Sequence, residues 1–176
     1  MKKVLFAFTI LSSLFIASCG KDDGATIELG LSGTLTYDGN TVTISDGLFG
    51  ELSEDGEYAA TFFLSDAELD FNASSNQANF QGEVLVNVLI YSESEAFEAG
   101  NYDVVSFDSP ITDKSAIVLY ADVNNASDGG AIANGGTVNI QGSGTNFTLT
   151  FAVDFENDIE MVGSAGGNFE RVVIPE

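Results

Sequence analysis

The sequence predicts an all-β protein. From Leu29 onward, apolar and polar residues alternate with a period of two, and Asp, Asn and Gly interrupt this alternation about every eight to fourteen residues. No stretch beyond residue 28 keeps a helical period for about three turns. Short, half-buried strands separated by turns are typical of sandwiches and barrels. We therefore expect a single antiparallel β-sandwich of roughly nine to eleven strands, with a calycin-like β-barrel as the alternative.

The first 18 residues have the pattern of a signal peptide. Lys2 and Lys3 give a positive start, and Val4 to Ile16 form an apolar run that is too short to span a bilayer as a helix. The next residues, Gly20 to Ile27, are polar and without periodicity, as expected of a flexible tether. The predicted organisation is a signal peptide over residues 1–18, a cysteine with a flexible acidic tether over 19–28, and a β-sandwich domain over 29–176.

The strands are predicted from local alternation. The clearest is Phe147 to Phe155, in which every second residue is apolar. Three other segments are apolar on both faces, which is typical of central strands, and we place them in the middle of the fold: Tyr58 to Leu64, Gly82 to Tyr91 and Ile117 to Val123. Shorter alternating segments are Thr41 to Ile44, Ala67 to Phe71 and Thr137 to Ile140.

Turn residues mark the connections between these strands. Asp38-Gly39-Asn40 tolerates positive φ and predicts a tight hairpin, and Asp46-Gly47 and Asn157-Asp158 are interpreted as further turns. The longest predicted loop runs from Asn124 to Gly136. The predicted core includes Val84, Val86, Val88, Ile90, Ile117, Leu119, Leu149, Phe151 and Val153.

The chain is strongly acidic after its leader. All 27 acidic residues follow Cys19, whereas two of the five basic residues, Lys2 and Lys3, precede it. Three basic residues then remain against 27 acidic ones, so the mature chain carries a net charge of −24. Such a surface repels nucleic acid and anionic lipid, and it favours cations, basic partners and solubility in salt. We therefore exclude nucleic acid as a partner and interpret the charge as a solvating coat.

The composition also restricts catalysis. Histidine is absent and Cys19 is the only cysteine. This excludes Ser-His-Asp and Cys-His catalysis, and zinc sites built from imidazole or thiolate. A carboxylate-dependent hydrolase remains as the enzymatic alternative, although no spacing among the acidic residues singles out a pair. We expect a protein that is not an enzyme.

The tetrad Ile16-Ala17-Ser18-Cys19 resembles the lipobox of bacterial lipoproteins. The resemblance implies that Cys19 carries a diacylglycerol and an N-acyl chain such as palmitate. Each buried methylene contributes about 0.8 kcal/mol, and two or more acyl chains give a stable membrane anchor. The next segment, Lys21-Asp22-Asp23, resembles the export signal of Bacteroidota lipoproteins. It implies a lipid-anchored protein on the outer membrane that faces the cell exterior.

Several segments of the domain resemble a large group of β-rich lipoproteins from those bacteria, a group with no agreed activity. These segments are Gly33 to Asn40, Phe97 to Tyr102, Gly136 to Ile140, Phe147 to Phe151 and Gly163 to Phe169. The resemblance implies a compact β-sandwich or calycin-like barrel on a lipid anchor, and it supplies no catalytic residues.

The loop that follows Val123 contains the candidate metal site. Asp122, Asn124 and Asp128 offer oxygen ligands at alternate positions, as Ca²⁺ coordination requires. No acidic residue follows near the twelfth position, so the EF-hand pattern fails, and a solvated Asn/Asp turn is the alternative interpretation. A second acidic cluster, interpreted as a solvated hairpin end, comprises Glu51, Glu54, Asp55 and Glu57.

Tyrosine and threonine are the residue types in this chain that could contact an extracellular ligand such as a sugar or ice. Sugar sites stack pyranose rings on aromatic side chains, but tryptophan is absent and the tyrosines lie in or beside predicted strands, where packing is their usual role. These tyrosines are Tyr37, Tyr58, Tyr91, Tyr102 and Tyr120. Thr-x-Thr pairs can form ice-binding faces, but here they look isolated and are interpreted as solvated strand positions. The pairs are Thr34 and Thr36, Thr41 and Thr43, and Thr148 and Thr150.

These observations lead to one functional expectation with two alternatives. We expect a surface lipoprotein whose β domain binds or presents an extracellular glycan or protein, without catalysis. The first alternative is an accessory carbohydrate-binding lipoprotein of a nutrient-uptake system. The second is the carboxylate-dependent hydrolase, which would need two carboxylates in one aromatic-lined pocket.

Overall fold

A computed structural model describes residues 30–54, 57–72, 77–122 and 130–173, and it is almost entirely β. The all-β class predicted from the sequence is confirmed. The strands of the described residues are β1 Ser32–Tyr37, β2 Asn40–Ile44, β3 Asp46–Glu54, β4 Glu57–Ser65, β5 Leu69–Asn72, β6 Gln77–Phe80, β7 Val84–Ser92, β8 Gly100–Val104, β9 Ser115–Asp122, β10 Ala131–Ile132, β11 Gly135–Ser143, β12 Asn146–Asp154, β13 Glu160–Asn168 and β14 Glu170–Val172. A 3-10 turn over Glu156–Asp158 joins β12 to β13. In this part of the chain, no helix has the length and apolar character needed to cross a membrane.

Most strands belong to one continuous mixed sheet. Its order is β14-β3-β4-β7-β9-β8-β11-β12-β13-β1-β2, with β10 paired to β9, while β5 and β6 form a separate hairpin. β14 pairs with β3 and β8 pairs with β9 in parallel, and the other pairings among the described strands are antiparallel. Parallel pairing needs a long connection, and residues 105–114 supply one between β8 and β9. The described chain therefore has more strands than expected, and its main sheet is continuous and mixed rather than split into two antiparallel sheets.

The main sheet curls into a half-barrel, and the chain crosses twice between the two ends of its strand order. Ser45 alone separates β2, at one end of the strand order, from β3, next to the other end. Phe169 alone separates β13, two strands in from the β2 end, from β14, which is the last strand at the other end. At these corners, the Ser45 amide donates to the Ser65 carbonyl at 2.9 Å, and the Phe169 amide donates to the Thr145 carbonyl at 2.8 Å. The two corners hold the ends of the sheet together.

The inner face of the curled sheet encloses the main core. In β12, exposed and buried residues alternate without exception, as the period-two pattern predicted. Phe147 from this strand lies 4.8 Å from Phe49 of β3 and 5.2 Å from Phe62 of β4, measured between ring centroids. Since β12 and β3 belong to opposite halves of the sheet, these rings bind the halves to each other. All residues of the predicted core are buried.

A second, smaller core lies on the outer face of β4, β7 and β9. These three strands, whose segments the sequence placed in the middle of the fold, are consecutive in the sheet, and none of them lies at its edge. The β5–β6 hairpin covers their outer face, and Leu69 and Phe80 from the hairpin are buried with Phe63, Leu85 and Leu119. The apolar residues on both faces of these strands are therefore explained by two separate cores.

The turns agree with the sequence at two places and differ at a third. Asp38 and Gly39 connect β1 to β2 with φ values of 48° and 74°, as a two-residue hairpin loop requires. Asn157 and Asp158 lie in the 3-10 turn. Asp46-Gly47 was expected to be a turn but begins β3, because Ser45 makes the corner. The loop predicted from Asn124 to Gly136 includes the short strand β10 and the start of β11, and its residues 124–129 lie outside the described part of the chain.

Candidate functional site

The outer surface of β2, β1, β13, β12, β11 and β8 is an almost uncharged sheet face. Every second residue of these strands points away from the main core, and most side chains there are hydroxyl, amide or small apolar groups, apart from the carboxylates Asp103, Asp154 and Glu160. We call this surface the neutral face. It consists of Ser32, Thr34, Thr36, Thr41, Thr43, Asn101, Thr137, Asn139, Gln141, Thr148, Thr150, Ala152, Val162, Ser164 and Gly166, all exposed or half-buried.

The strand register aligns these residues in rows across the sheet. In the central row, Thr34 lies opposite Thr43 on one side and Ser164 on the other. Ser164 lies opposite Thr150, and the row continues through Asn139 to Asn101. Cross-strand neighbours have Cβ atoms about 4.5–5.5 Å apart, so these side chains form one surface. The Thr-x-Thr pairs, which look isolated in the sequence, are therefore adjacent in the fold.

The next row has the same character. It runs from Thr41 through Thr36, Val162, Ala152 and Thr137 to Asp103. Asp103 is exposed and lies on β8, at the end of the row. It is the one carboxylate in these two rows of described residues. The acidic residues Asp154 and Glu160 lie opposite each other at the ends of their strands, beside the neutral face.

Hydrogen bonds fix the amide groups at one side of the neutral face. The Asn139 Nδ2 group donates to Asn101 Oδ1 at 2.6 Å, and Gln141 Nε2 donates to Asn139 Oδ1 at 3.1 Å. At the other side, the hydroxyls of Thr36 and Thr41 are 3.0 Å apart. The central residues Thr150 and Ser164 make no side-chain hydrogen bond to the described part of the chain. Their hydroxyls are accessible to solvent and to a ligand.

A cleft of about 250 Å³ adjoins the neutral face where the β1–β2 turn meets the 3-10 turn. It shares Thr36 and Val162 with the face, and its other lining residues are Asp38, Gly39, Asp158, Ile159 and Glu160. Asp38 and Asp158 have φ values of 48° and 59°, in the left-handed region where Asp and Asn are tolerated. The lining combines three carboxylates with apolar side chains and contains no aromatic residue. It therefore lacks one of the two features expected of the hydrolase alternative.

Four of the five tyrosines pack in or against the main core and are not free to stack on a sugar. Tyr58, Tyr102 and Tyr120 are buried, and burial raises the pKa of Tyr102 and Tyr120 to about 12. Tyr37 is half-buried with its ring stacked on Tyr120, at a centroid distance of 3.8 Å. Burial and the nearby Asp38 carboxylate raise the pKa of Tyr37. Tyr91 is half-buried in β7.

The second acidic cluster is partly structural. Glu51 accepts a hydrogen bond of 3.0 Å from the Tyr58 hydroxyl and forms an ion pair with Arg171 of β14. Burial, followed by the hydrogen bond to Glu51, raises the pKa of Tyr58. Glu57 is half-buried in β4, whereas Asp55 and the side chain of Glu54 lie outside the described residues. Glu51 therefore fastens β14 to the sheet instead of marking a solvated end.

The site residues predicted from the sequence lie mostly outside the described structure. Cys19, Lys21, Asp22 and Asp23 precede residue 30, and Asn124 and Asp128 fall between residues 122 and 130. Asp122 is half-buried at the end of β9. Within the described ranges, no group of three or more acidic, histidine or cysteine side chains could hold a metal ion.

The chain matches no protein-family model, no curated protein and no solved structure.

Proposed function

We propose that this protein is a lipid-anchored, non-enzymatic binding module that holds an extracellular ligand on the neutral face. The single observation that carries the proposal is the contrast between this face and the rest of the protein. The chain has 27 acidic residues and a net charge of −22, yet one carboxylate, Asp103, lies in the two aligned rows that cross six strands. A solvating coat does not require an area that is nearly free of charge. A contact surface does, because buried unpaired charges weaken binding.

The proposed location depends on the N-terminal residues. Cys19 would carry the lipid and Lys21-Asp22-Asp23 would direct the protein to the outer face of the outer membrane, as their resemblance to lipoprotein signals implies. An anchored domain with an accessible neutral face would present that face to molecules outside the cell. The two roles are separable, because one is lipid chemistry and the other is an address read by export machinery.

The location is tested in cells that produce the full chain. Cys19→Ala should abolish fatty-acid labelling and release the protein from membranes. The double change Asp22→Ala and Asp23→Ala should preserve labelling but protect the domain from protease added to whole cells. If the double variant stays as accessible to protease as the parent, the export assignment is wrong and the domain faces the periplasm.

The binding role is tested with fluorescent polymers of three charge types: a neutral glucan, heparin and polylysine. Cells displaying the parent chain should retain at least one of them more strongly than cells without the protein. Thr150→Arg, in the centre of the neutral face, should remove that retention, while Gln81→Arg, exposed between β6 and β7, should preserve it. If the two variants behave alike with every polymer, the neutral face is not a binding surface.

A further inference from the structure

Resting on the proposed function, we propose that the ligand of the neutral face is a neutral polysaccharide that lies across the strands and reaches into the adjoining cleft. The first argument is charge. A polyanion is repelled by a protein with a net charge of −22, and a polycation is drawn to the acidic loops in preference to an uncharged face. The central row itself contains no carboxylate, so a ligand that lies along it makes its direct contacts with neutral groups. A neutral polymer fits this distribution best.

The second argument is hydrogen-bonding chemistry. A hydroxyl or carboxamide side chain both donates and accepts hydrogen bonds, and so does each hydroxyl of a sugar. The central row offers this dual character at Thr43, Thr34, Ser164, Thr150, Asn139 and Asn101. The hydroxyls of a polysaccharide could therefore form hydrogen bonds with side chains on successive strands in more than one orientation of the sugar. A peptide ligand would satisfy fewer of these groups, because its backbone donors and acceptors have fixed directions.

The third argument is the repeat distance and the apolar contacts. Neighbouring strands are about 4.8 Å apart, so six strands span roughly 24 Å, and one pyranose of an extended chain advances by a similar step. Val162 is 45% exposed and lies in the row beside the central one, next to Ala152. It offers an apolar contact for the C–H face of a sugar ring. The face thus provides both kinds of contact that a pyranose needs.

The cleft extends this arrangement sideways, at the strand ends next to the second row. Ile159 and Val162 provide an apolar wall, and the carboxylates of Asp38, Asp158 and Glu160 can accept hydrogen bonds from sugar hydroxyls. Hydrogen bonds to an ionised acceptor are stronger than those between neutral groups. We assign the cleft to a branching sugar, because the turns that line it lie at the strand ends, beside the row that contains Val162.

Sheet twist favours a glycan over ice as the partner of this threonine-rich face. Adjacent strands rotate by about 20–25°, which amounts to roughly 100° over six strands. A rigid crystal lattice cannot follow such a surface, whereas glycosidic linkages rotate and can follow it. Ice binding is therefore the competing outcome of the test.

The assignment is tested with the full-length lipoprotein in lipid nanodiscs, titrated with soluble β-glucan, starch, mannan and xylan, and with heparin as the charged comparison. At least one neutral polysaccharide should bind. Thr150→Arg and Ser164→Arg should each weaken its binding at least 10-fold, and Gln81→Arg should change it by less than 2-fold. Glu160→Gln should weaken binding several-fold by removing an ionised acceptor, whereas Glu170→Gln, exposed on β14, should leave it unchanged. Circular dichroism melting curves confirm that each variant is folded.

The outcomes separate the ligand class from the proposed function. Binding of heparin that is lost in Thr150→Arg, without any binding of neutral polysaccharide, overturns the glycan assignment and leaves the neutral face as a binding surface. Inhibition of ice recrystallisation that depends on Thr150, again without glycan binding, also overturns the glycan assignment and identifies ice as the ligand of the neutral face. If neither the polysaccharides, heparin nor ice responds to the face variants, both proposals fail. An unchanged affinity in Glu160→Gln overturns the role of the cleft alone.

Discussion

At the scale of single residues, Phe151 shows how a strand of the half-barrel holds the core. Its ring is 2% exposed and belongs to the main core, while its neighbour Thr150 faces solvent on the neutral face. Adjacent residues of one strand therefore have opposite roles: one stabilises the fold and the other is available to a ligand. Substitutions at the two positions separate stability from binding.

Phe151→Ala should lower the free energy of unfolding by about 3–5 kcal/mol, because it removes a buried ring and leaves a cavity. Thr150→Ala is the matched control and should change it by less than about 0.5 kcal/mol, as for most surface substitutions. Denaturant unfolding followed by circular dichroism measures both. A loss below about 0.5 kcal/mol for Phe151→Ala would show that the ring does not lie in the core.

Tyr102 makes the stability of the fold depend on pH in the alkaline range. It is fully buried, and its hydroxyl donates a hydrogen bond of 2.7 Å to the Glu98 carbonyl. Burial, together with the carboxylates of Glu98 and Asp113, raises its pKa from 10.0 to about 12. The folded state therefore holds this proton more tightly than the unfolded state. The resulting stability is fully present below pH 10 and is lost as the pH rises through about 12.

We expect the melting temperature to fall between pH 10 and 12, with ionisation of the buried tyrosines accompanying unfolding. Tyr102→Phe should make this decrease shallower, since the variant has no proton to lose at that position. Tyr58 and Tyr120 also have raised pKa values and retain part of the effect. Ultraviolet absorbance of tyrosinate and thermal melts at each pH provide the measurement. An identical pH dependence in parent and variant would contradict the assignment to Tyr102.

At the scale of elements, two aspartates connect the β5–β6 hairpin to the main sheet. Asp46 of β3 accepts a hydrogen bond of 2.8 Å from the Leu69 amide at the start of the hairpin. Asp66 precedes the hairpin and accepts bonds of 3.0 Å from the amides of Glu83 and Val84, where β7 begins. These bonds position the apolar cover over the second core.

Asp66→Ala should lower the free energy of unfolding by about 1–3 kcal/mol, because it leaves two amides without their charged acceptor. Glu68→Ala is the control, since Glu68 is an exposed carboxylate in the same connection. Denaturant unfolding gives the energies, and hydrogen exchange at the Val84 amide reports the local contact. If the Val84 amide exchanges at the same rate in the parent and Asp66→Ala, the carboxylate does not hold the hairpin.

At the scale of the whole molecule, the acidic surface opposes compactness. The chain carries 27 acidic residues against five basic ones, and self-repulsion is screened over a Debye length of about 10 Å at 0.1 M salt. The described ion pairs, Lys114 with Glu98 and Arg171 with Glu51, neutralise little of this charge. Stability should therefore depend on ionic strength.

The melting temperature should rise as sodium chloride is increased, because screening relieves repulsion in the folded state more than in the expanded unfolded chain. Calcium at micromolar concentration, at constant ionic strength, is the comparison. A melting temperature that does not change with sodium chloride but rises strongly with calcium would contradict the interpretation of the acidic residues as a solvating coat. Such a result would instead support a specific site at Asp122, Asn124 and Asp128.

The candidate site was only partly predictable from the sequence. Thr34, Thr43 and Thr150 are recognisable as solvated strand residues, but nothing in their local sequence shows that they are aligned. Ser164 and Asn139 complete their row, and no local motif distinguishes either residue. The cleft is likewise lined by Asp38 and Asp158, and the sequence indicates only that each is a turn residue. Their assembly depends on contacts between distant parts of the chain.

The sequence by itself determined the β class, the buried face of β12 and the β1–β2 turn, because these follow from alternation and from the φ preferences of Asp38 and Gly39. Only the tertiary structure decided the strand order, the parallel pairing of β8 with β9 and the corners at Ser45 and Phe169. Backbone hydrogen bonds can join any two strands, whatever their side chains. The register is therefore selected by burial of the whole core. The same register aligns the outward-facing residues that form the neutral face.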